Sequence, residues 1–169
     1  DPGAYWTLGF DSYNENHGEP GGLTRANFDS GSLAATRLND RFELNRYAGS
    51  LAYTKDLNPD THWETKAFGG SYERLSWRQR TSGSSSFGVV PSGANAATND
   101  IEQQMFNTFG TESRVRQNYS VFGSDENALT GGVLYYHVNS PRIDMRGTSA
   151  AADEGTVRRD TDREMNYVS

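Results

Sequence analysis

Asn107-Thr108-Phe109-Gly110-Thr111-Glu112-Ser113-Arg114-Val115-Arg116-Gln117-Asn118-Tyr119-Ser120-Val121-Phe122 is the stretch that decides the fold. Phe109, Val115, Tyr119 and Val121 share one parity. Glu112, Arg114, Arg116, Asn118 and Ser120 share the other. Successive side chains of a strand point to opposite faces. The stretch therefore predicts a strand with one apolar and one charged face. That pairing fits a wall with lipid on one side and water on the other.

Working outward, the same alternation returns with varying clarity. From Ala4 to about Tyr13, Trp6, Leu8 and Phe10 oppose Thr7, Gly9 and Asp11. From about Arg41 to Asp56, Tyr47, Leu51 and Tyr53 oppose Arg46, Ala48, Ser50, Ala52 and Thr54. Phe42 and Leu44 break that phase and are expected to lie above the bilayer. A third strand spans about Thr61 to Arg80, with Trp63 and Trp77 as expected interfacial anchors. Its middle, Phe68-Gly69-Gly70-Ser71-Tyr72, resolves into no two faces, and a bulge at the glycine pair would explain this. A fifth strand, about Ala128 to Asn139, sets Leu129, Val133 and Tyr135 against Thr130, Leu134 and Tyr136, a second face less polar than a lumen requires. Arg163 to Ser169 reads as the start of a sixth strand. Ala94 to Gln104 forms a loop helix at most.

The breaks between strands are sorted by length. Leu57-Asn58-Pro59-Asp60 and Gly123-Ser124-Asp125-Glu126 read as tight turns. The stretches 14–38, 81–104 and 141–163 read as long polar loops without period. Transmembrane barrels sort their connections in this way, with short turns on the periplasmic side and long loops outside.

Composition narrows the class. Of 169 residues only 34% are apolar, thin for a packed core, yet 12% are aromatic, which argues against disorder. Sixteen basic against 22 acidic residues give a net charge of −6, so no basic stripe invites nucleic acid. Cysteine is absent, which excludes a disulfide frame and thiolate metal sites. No apolar run approaches the roughly 18–20 residues of a membrane helix. The chain does not begin with Met and stops inside an apparent strand, so it is expected to be an internal piece of a longer protein.

The order of several short motifs carries a resemblance. They are Pro20-Gly21-Gly22-Leu23-Thr24, Phe28, Arg41-Phe42-Glu43-Leu44-Asn45-Arg46, Thr108-Phe109-Gly110-Thr111-Glu112-Ser113-Arg114, Phe122-Gly123-Ser124, and Leu129-Thr130-Gly131-Gly132-Val133-Leu134-Tyr135-Tyr136-His137, with Ser140-Pro141-Arg142 opening a loop. In this order the chain resembles the barrel of TonB-dependent outer-membrane receptors, nearest the ferric-citrate-receptor-like branch. The resemblance implies an all-β, antiparallel transmembrane barrel of 22 strands, of which residues 1–169 are about five or six. It also implies a plug domain and closing C-terminal strands that this chain lacks. The parent would lie in the outer membrane of a Gram-negative bacterium and import a ferric siderophore, powered by the TonB complex. Its partners would be that siderophore, outer-membrane lipid, its own plug and TonB.

No catalytic signature is present: no GxSxG, no phosphate-binding glycine loop, no HExxH. The chain is therefore read as neither an enzyme nor a cofactor or metal protein. His62 and Glu64 share a strand face without a second histidine, and His17 and His137 read as loop and interface residues. Asp153-Glu154, and Asp160, Asp162 and Glu164 among Arg158, Arg159 and Arg163, read as a solvated mixed-charge loop. Asn118-Tyr119-Ser120 is a chance sequon on a strand.

The expected ligand contacts are Arg41, Arg46, Arg74, Arg78 and Arg80, which climb toward the long loops. A guanidinium fork suits the carboxylate oxygens of an anionic chelate. The plainer reading pairs these arginines across strands with acids such as Glu43 or Glu73. Two further readings stand beside the receptor: a passive porin-type channel, and a secreted all-β adhesin or carbohydrate-binding module.

Overall fold

The computed structural model describes residues 3–81 and 88–169. Residues 82–87, part of the expected loop 81–104, lie outside the described residues. The strands are β1 (Ala4–Gly18), β2 (Arg41–Asn58), β3 (Thr61–Gln79), β4 (Asn99–Val121), β5 (Ser124–Asn139), β6 (Arg142–Gly147), β7 (Gly155–Thr161) and β8 (Glu164–Val168). A short helix α1 (Arg25–Asp29) and a 3-10 turn (Ala94–Ala97) interrupt the loops. Thr24 caps α1 by accepting from the Asn27 amide.

All pairings are antiparallel, in the order β1-β2-β3-β4-β5-β8, with β6 beside β4 and β7 beside β6. Register reveals a simpler plan. Asn139 faces Asn107 and Arg142 faces Gln104, an equal step on both strands. Likewise Asn139 faces Glu164 and Arg142 faces Thr161. Thus β5 and β6 are one strand broken at Ser140-Pro141, and β7 and β8 are one strand broken at 162–163. Proline cannot donate to the ladder, and the break is bridged by Met105 N–H to the Pro141 carbonyl (3.0 Å) and Ser140 N–H to the Arg163 carbonyl (2.7 Å). The sheet is therefore a six-strand meander. The expected loop 141–163 is corrected: most of it is a hairpin extension, and only 148–154 separates β6 from β7.

The turns are also sharper than read. Val121 faces Ser124, so the second turn is Phe122-Gly123 alone. Both residues have positive φ, 51° and 79°, the geometry that matches strand twist in a two-residue hairpin. Pro59-Asp60 makes the other turn, and Asn58 Oδ1 accepts from the Asp60 amide at 3.0 Å. Proline holds φ negative, so a mirror-type turn is closed to it, and the ladder shifts register between Asp56 and Asn58.

The registers align one parity across the sheet. Trp6, Leu8 and Phe10 meet Tyr53, Leu51 and Gly49, whose row continues through Thr65, Ala67 and Gly69 to Ser113, Thr111 and Phe109. This apolar face is uncovered: Leu8 is 82% exposed and Leu129 68%. Trp6, Tyr53 and Trp63 form an aromatic row on it, with centroids 4.7 and 5.7 Å apart. Trp77 is corrected. It is buried, with the Arg41 guanidinium 4.5 Å above its ring. Its ring is covered by the chain's own residues, whereas an interfacial anchor would present its ring outward. Trp77 and Ile101 (1% exposed) belong to the row Arg41, Trp77, Ile101, Met145, Val157 at the long-loop end.

No bulge occurs at Gly69-Gly70, where β3 keeps register with both neighbours. The pattern is obscure for another reason. Phe68 and Tyr72 point to the polar face, while small residues occupy the apolar one. A Cβ on Gly110 would collide with the Phe68 ring, which stacks on Tyr136 at 6.1 Å. Large aromatics thus fill the polar face where glycine leaves room.

Candidate functional site: an arginine ladder at the long-loop end

Strands of 18 to 23 residues far exceed the roughly 9–11 that cross a bilayer. Their upper parts carry the polar face well beyond the apolar band. There three rungs lie side by side: Arg74, Gln104, Arg142; then Ser76, Glu102, Asp144, Arg159; then Arg78, Asp100, Arg146. The alternation Arg142-Ile143-Asp144-Met145-Arg146 sends every charge of β6 to this face.

Carboxylates are shared on the ladder. Glu102 lies 3.7 Å from Arg74 and 3.3 Å from Arg142. Asp144 lies 2.7 Å from Arg142 and 3.5 Å from Arg159. Asp100 lies 2.7 Å from Arg146 and 3.7 Å from Arg80. Five arginines thus hold three carboxylates; with Arg78 of the third rung and its Glu19 and Asp40 the cluster has six arginines and five carboxylates, a local surplus of one positive charge on a chain whose net charge is −6. The Asp144 hydrogen bond raises the Arg142 guanidinium pKa.

The five arginines named from sequence divide. Arg74 and Arg80 belong to the ladder. Arg78 stands on the third rung but is held by Glu19, with Asp40 at 3.9 Å, and burial lowers its pKa. Arg46 is lower on the same face and is closed by Asp11 at 2.6 Å. Arg41 faces the other way, over Trp77, and meets Asp153 at 2.6 Å. Glu43 and Glu73 are not the partners: they lie on the opposite face, accepting from Asn45 (3.2 Å) and Gln103 (2.7 Å). Arg142, Arg146 and Arg159 were missed because 141–163 read as an irregular loop; the two-residue period in 142–146 was the available signal.

The long loops close around this end. The Gly88 amide donates to the Gly22 carbonyl (3.0 Å), and Arg37 to the Val89 carbonyl (2.7 Å). Asn99 donates to the Ala152 carbonyl at 2.8 Å. Asp40 anchors the first loop, accepting from the Gln79 amide at 2.7 Å. Burial raises the Asp40 pKa, against smaller opposing effects of that hydrogen bond and of Arg37.

At the short-turn end, His62 Nδ1 lies 2.5 Å from Asp56, and Glu64 is taken by Arg114 at 3.0 Å. His17 meets Glu15 at 3.0 Å, and His137 meets Asn166 at 3.0 Å.

No family profile and no curated protein matches the chain. Among solved structures it is similar to the ferric citrate transporter FecA in its unliganded form, at 21% identity and a TM-score of 0.72. The match covers 98% of this chain and 23% of that one, so the chain spans about a quarter of the length of the transporter. The likeness establishes the fold: an all-β, antiparallel segment of a transmembrane β-barrel.

Proposed function

We propose that the chain is part of the barrel wall of a TonB-dependent outer-membrane receptor that captures and imports an anionic ferric chelate of the ferric-citrate type. Residues 1–169 would supply about six of 22 strands, with the plug, the closing strands and the TonB-contacting segment elsewhere in the parent. The protein is not an enzyme and needs no cofactor; the iron is cargo. Arg74 and Arg80, with Arg142, Arg146 and Arg159, line the inner face of the mouth, and Arg46 and Arg78 flank them. Arg41 serves the loop scaffold.

The sharing of three carboxylates among five arginines carries the reading. Their guanidinium donors are incompletely matched, and carboxylate oxygens of a chelate would complete them with charge-assisted bonds. The uncovered apolar face, with Leu8 at 82% exposure, favours a lipid-facing wall over a sandwich module, which would bury it.

The test uses the full-length protein. Arg74→Gln with Arg80→Gln should weaken ferric citrate binding at least ten-fold, and uptake should require TonB. Unchanged binding removes the ladder from the site. Uptake without TonB favours the porin-type reading, and a freely soluble protein sinks both.

A further inference from the structure

The paired strand breaks open a notch on the polar face just below the ladder. Its volume is about 490 Å³, within the range of pockets for small organic ligands. Phe106, Val138 and Met165 form its apolar wall, while Arg142, Arg159 and Arg163 line its rim with one acid, Glu164. Register sets these side chains on one face, since Met165 faces Val138 across β5 and β8. Met165 is 59% exposed there, an apolar side chain held open next to a charged rim. Arg142 and Arg159 share Asp144. Among the described residues Arg163 has no carboxylate partner. The lining thus holds three guanidiniums to the single carboxylate of Glu164, beside a hydrophobic surface.

We propose that this notch is a second binding site, specific for an aromatic polycarboxylate. The ring packs against Phe106, Val138 and Met165, and the carboxylates meet the three guanidiniums. Citrate, which has no apolar body, satisfies the rim alone. The site extends the receptor reading by naming a ligand class that the ladder does not select. It depends on that reading only for how the ligand is delivered.

The experiment is calorimetric titration of the purified full-length protein with benzene-1,3,5-tricarboxylate, iron-free citrate and inorganic phosphate. Wild type should bind the aromatic tricarboxylate at least ten-fold more tightly than citrate or phosphate. Arg163→Gln and Met165→Ser, both at exposed positions, should each weaken it five-fold or more and leave ferric citrate uptake unchanged. Arg163→Lys, which keeps the charge and loses the fork, should fall between. Equal affinity for the aromatic and aliphatic anions in wild type overturns the proposal, as does wild-type affinity in both Arg163→Gln and Met165→Ser. Failure of the receptor reading is separate: it shows as absent ferric chelate uptake in wild type, whatever the tricarboxylate does.

Discussion

Phe122 carries a positive φ of 51° in a two-residue turn and is fully exposed, so no packing compensates the strain. A bulky residue rarely adopts this region, whereas Asn-Gly is its favoured occupant in such turns. Phe122→Asn should raise stability by about 0.5–1 kcal/mol, read as a higher denaturation midpoint in detergent. Gly110→Ala should act in the other direction. Its methyl group would meet the Phe68 ring, displacing it from Tyr136. Overpacking of this kind costs roughly 1–3 kcal/mol, checked by the temperature at which folded mobility is lost on a gel. Asp40 makes a third residue-scale case. Burial raises its carboxyl pKa, so the folded state favours the protonated form. Its stabilising contribution is present below the ordinary carboxylate range and is lost as pH rises through the raised value. The stability of wild type relative to Asp40→Asn should therefore improve as pH falls from about 7 toward 4. A difference independent of pH would show that Asp40 does not titrate differently on folding.

At the scale of elements, legibility followed burial contrast. Strands with unlike faces, β1 and β4 above all, were plain because lipid and water impose opposite demands on alternate residues. β3 was located but not phased: Phe68, over Gly110, and Tyr72, against Phe106, fill the polar face, and Gly69 and Ala67 take the apolar one. The β6–β7 hairpin was not legible as a whole. Pro141 and the polar residues around it look like a loop, and pairing across the break becomes visible only in the register. Three of the five ladder arginines, Arg142, Arg146 and Arg159, were hidden for that reason. Arg74 and Arg80 stand among the arginines expected from sequence, and their acids, Glu102 and Asp100, lie on the upper part of β4, which the sequence disguises as loop. The hairpin has a sharp test. A Cβ on Gly155 would collide with the Arg146 carbonyl across the ladder. Gly155→Ala should open this hairpin at a cost of roughly 1–3 kcal/mol, seen as faster amide exchange in 142–147 and 155–161 with β1–β3 unaffected.

For the whole molecule, the governing fact is how little of it is interior. Trp77 and Ile101 are the buried apolar side chains among the described residues. A sheet with an uncovered apolar face and free edges at β1 and β8 cannot satisfy itself in water. Produced alone, the chain should sediment as aggregate without detergent and regain strand circular dichroism in micelles; a monodisperse chain in plain buffer would refute this. The two ends of the sheet also carry different tolerance to change. Pro59-Asp60 and Phe122-Gly123 are turns with no slack, so one residue inserted there would reverse the phase of the next strand. Lys66 and Glu64 would then face hydrocarbon, and Trp63 would face water. A residue inserted at 31–35 would lengthen a loop and leave every strand in phase. Variation can therefore accumulate at the long-loop rim while the opposite rim holds the reading frame of the wall.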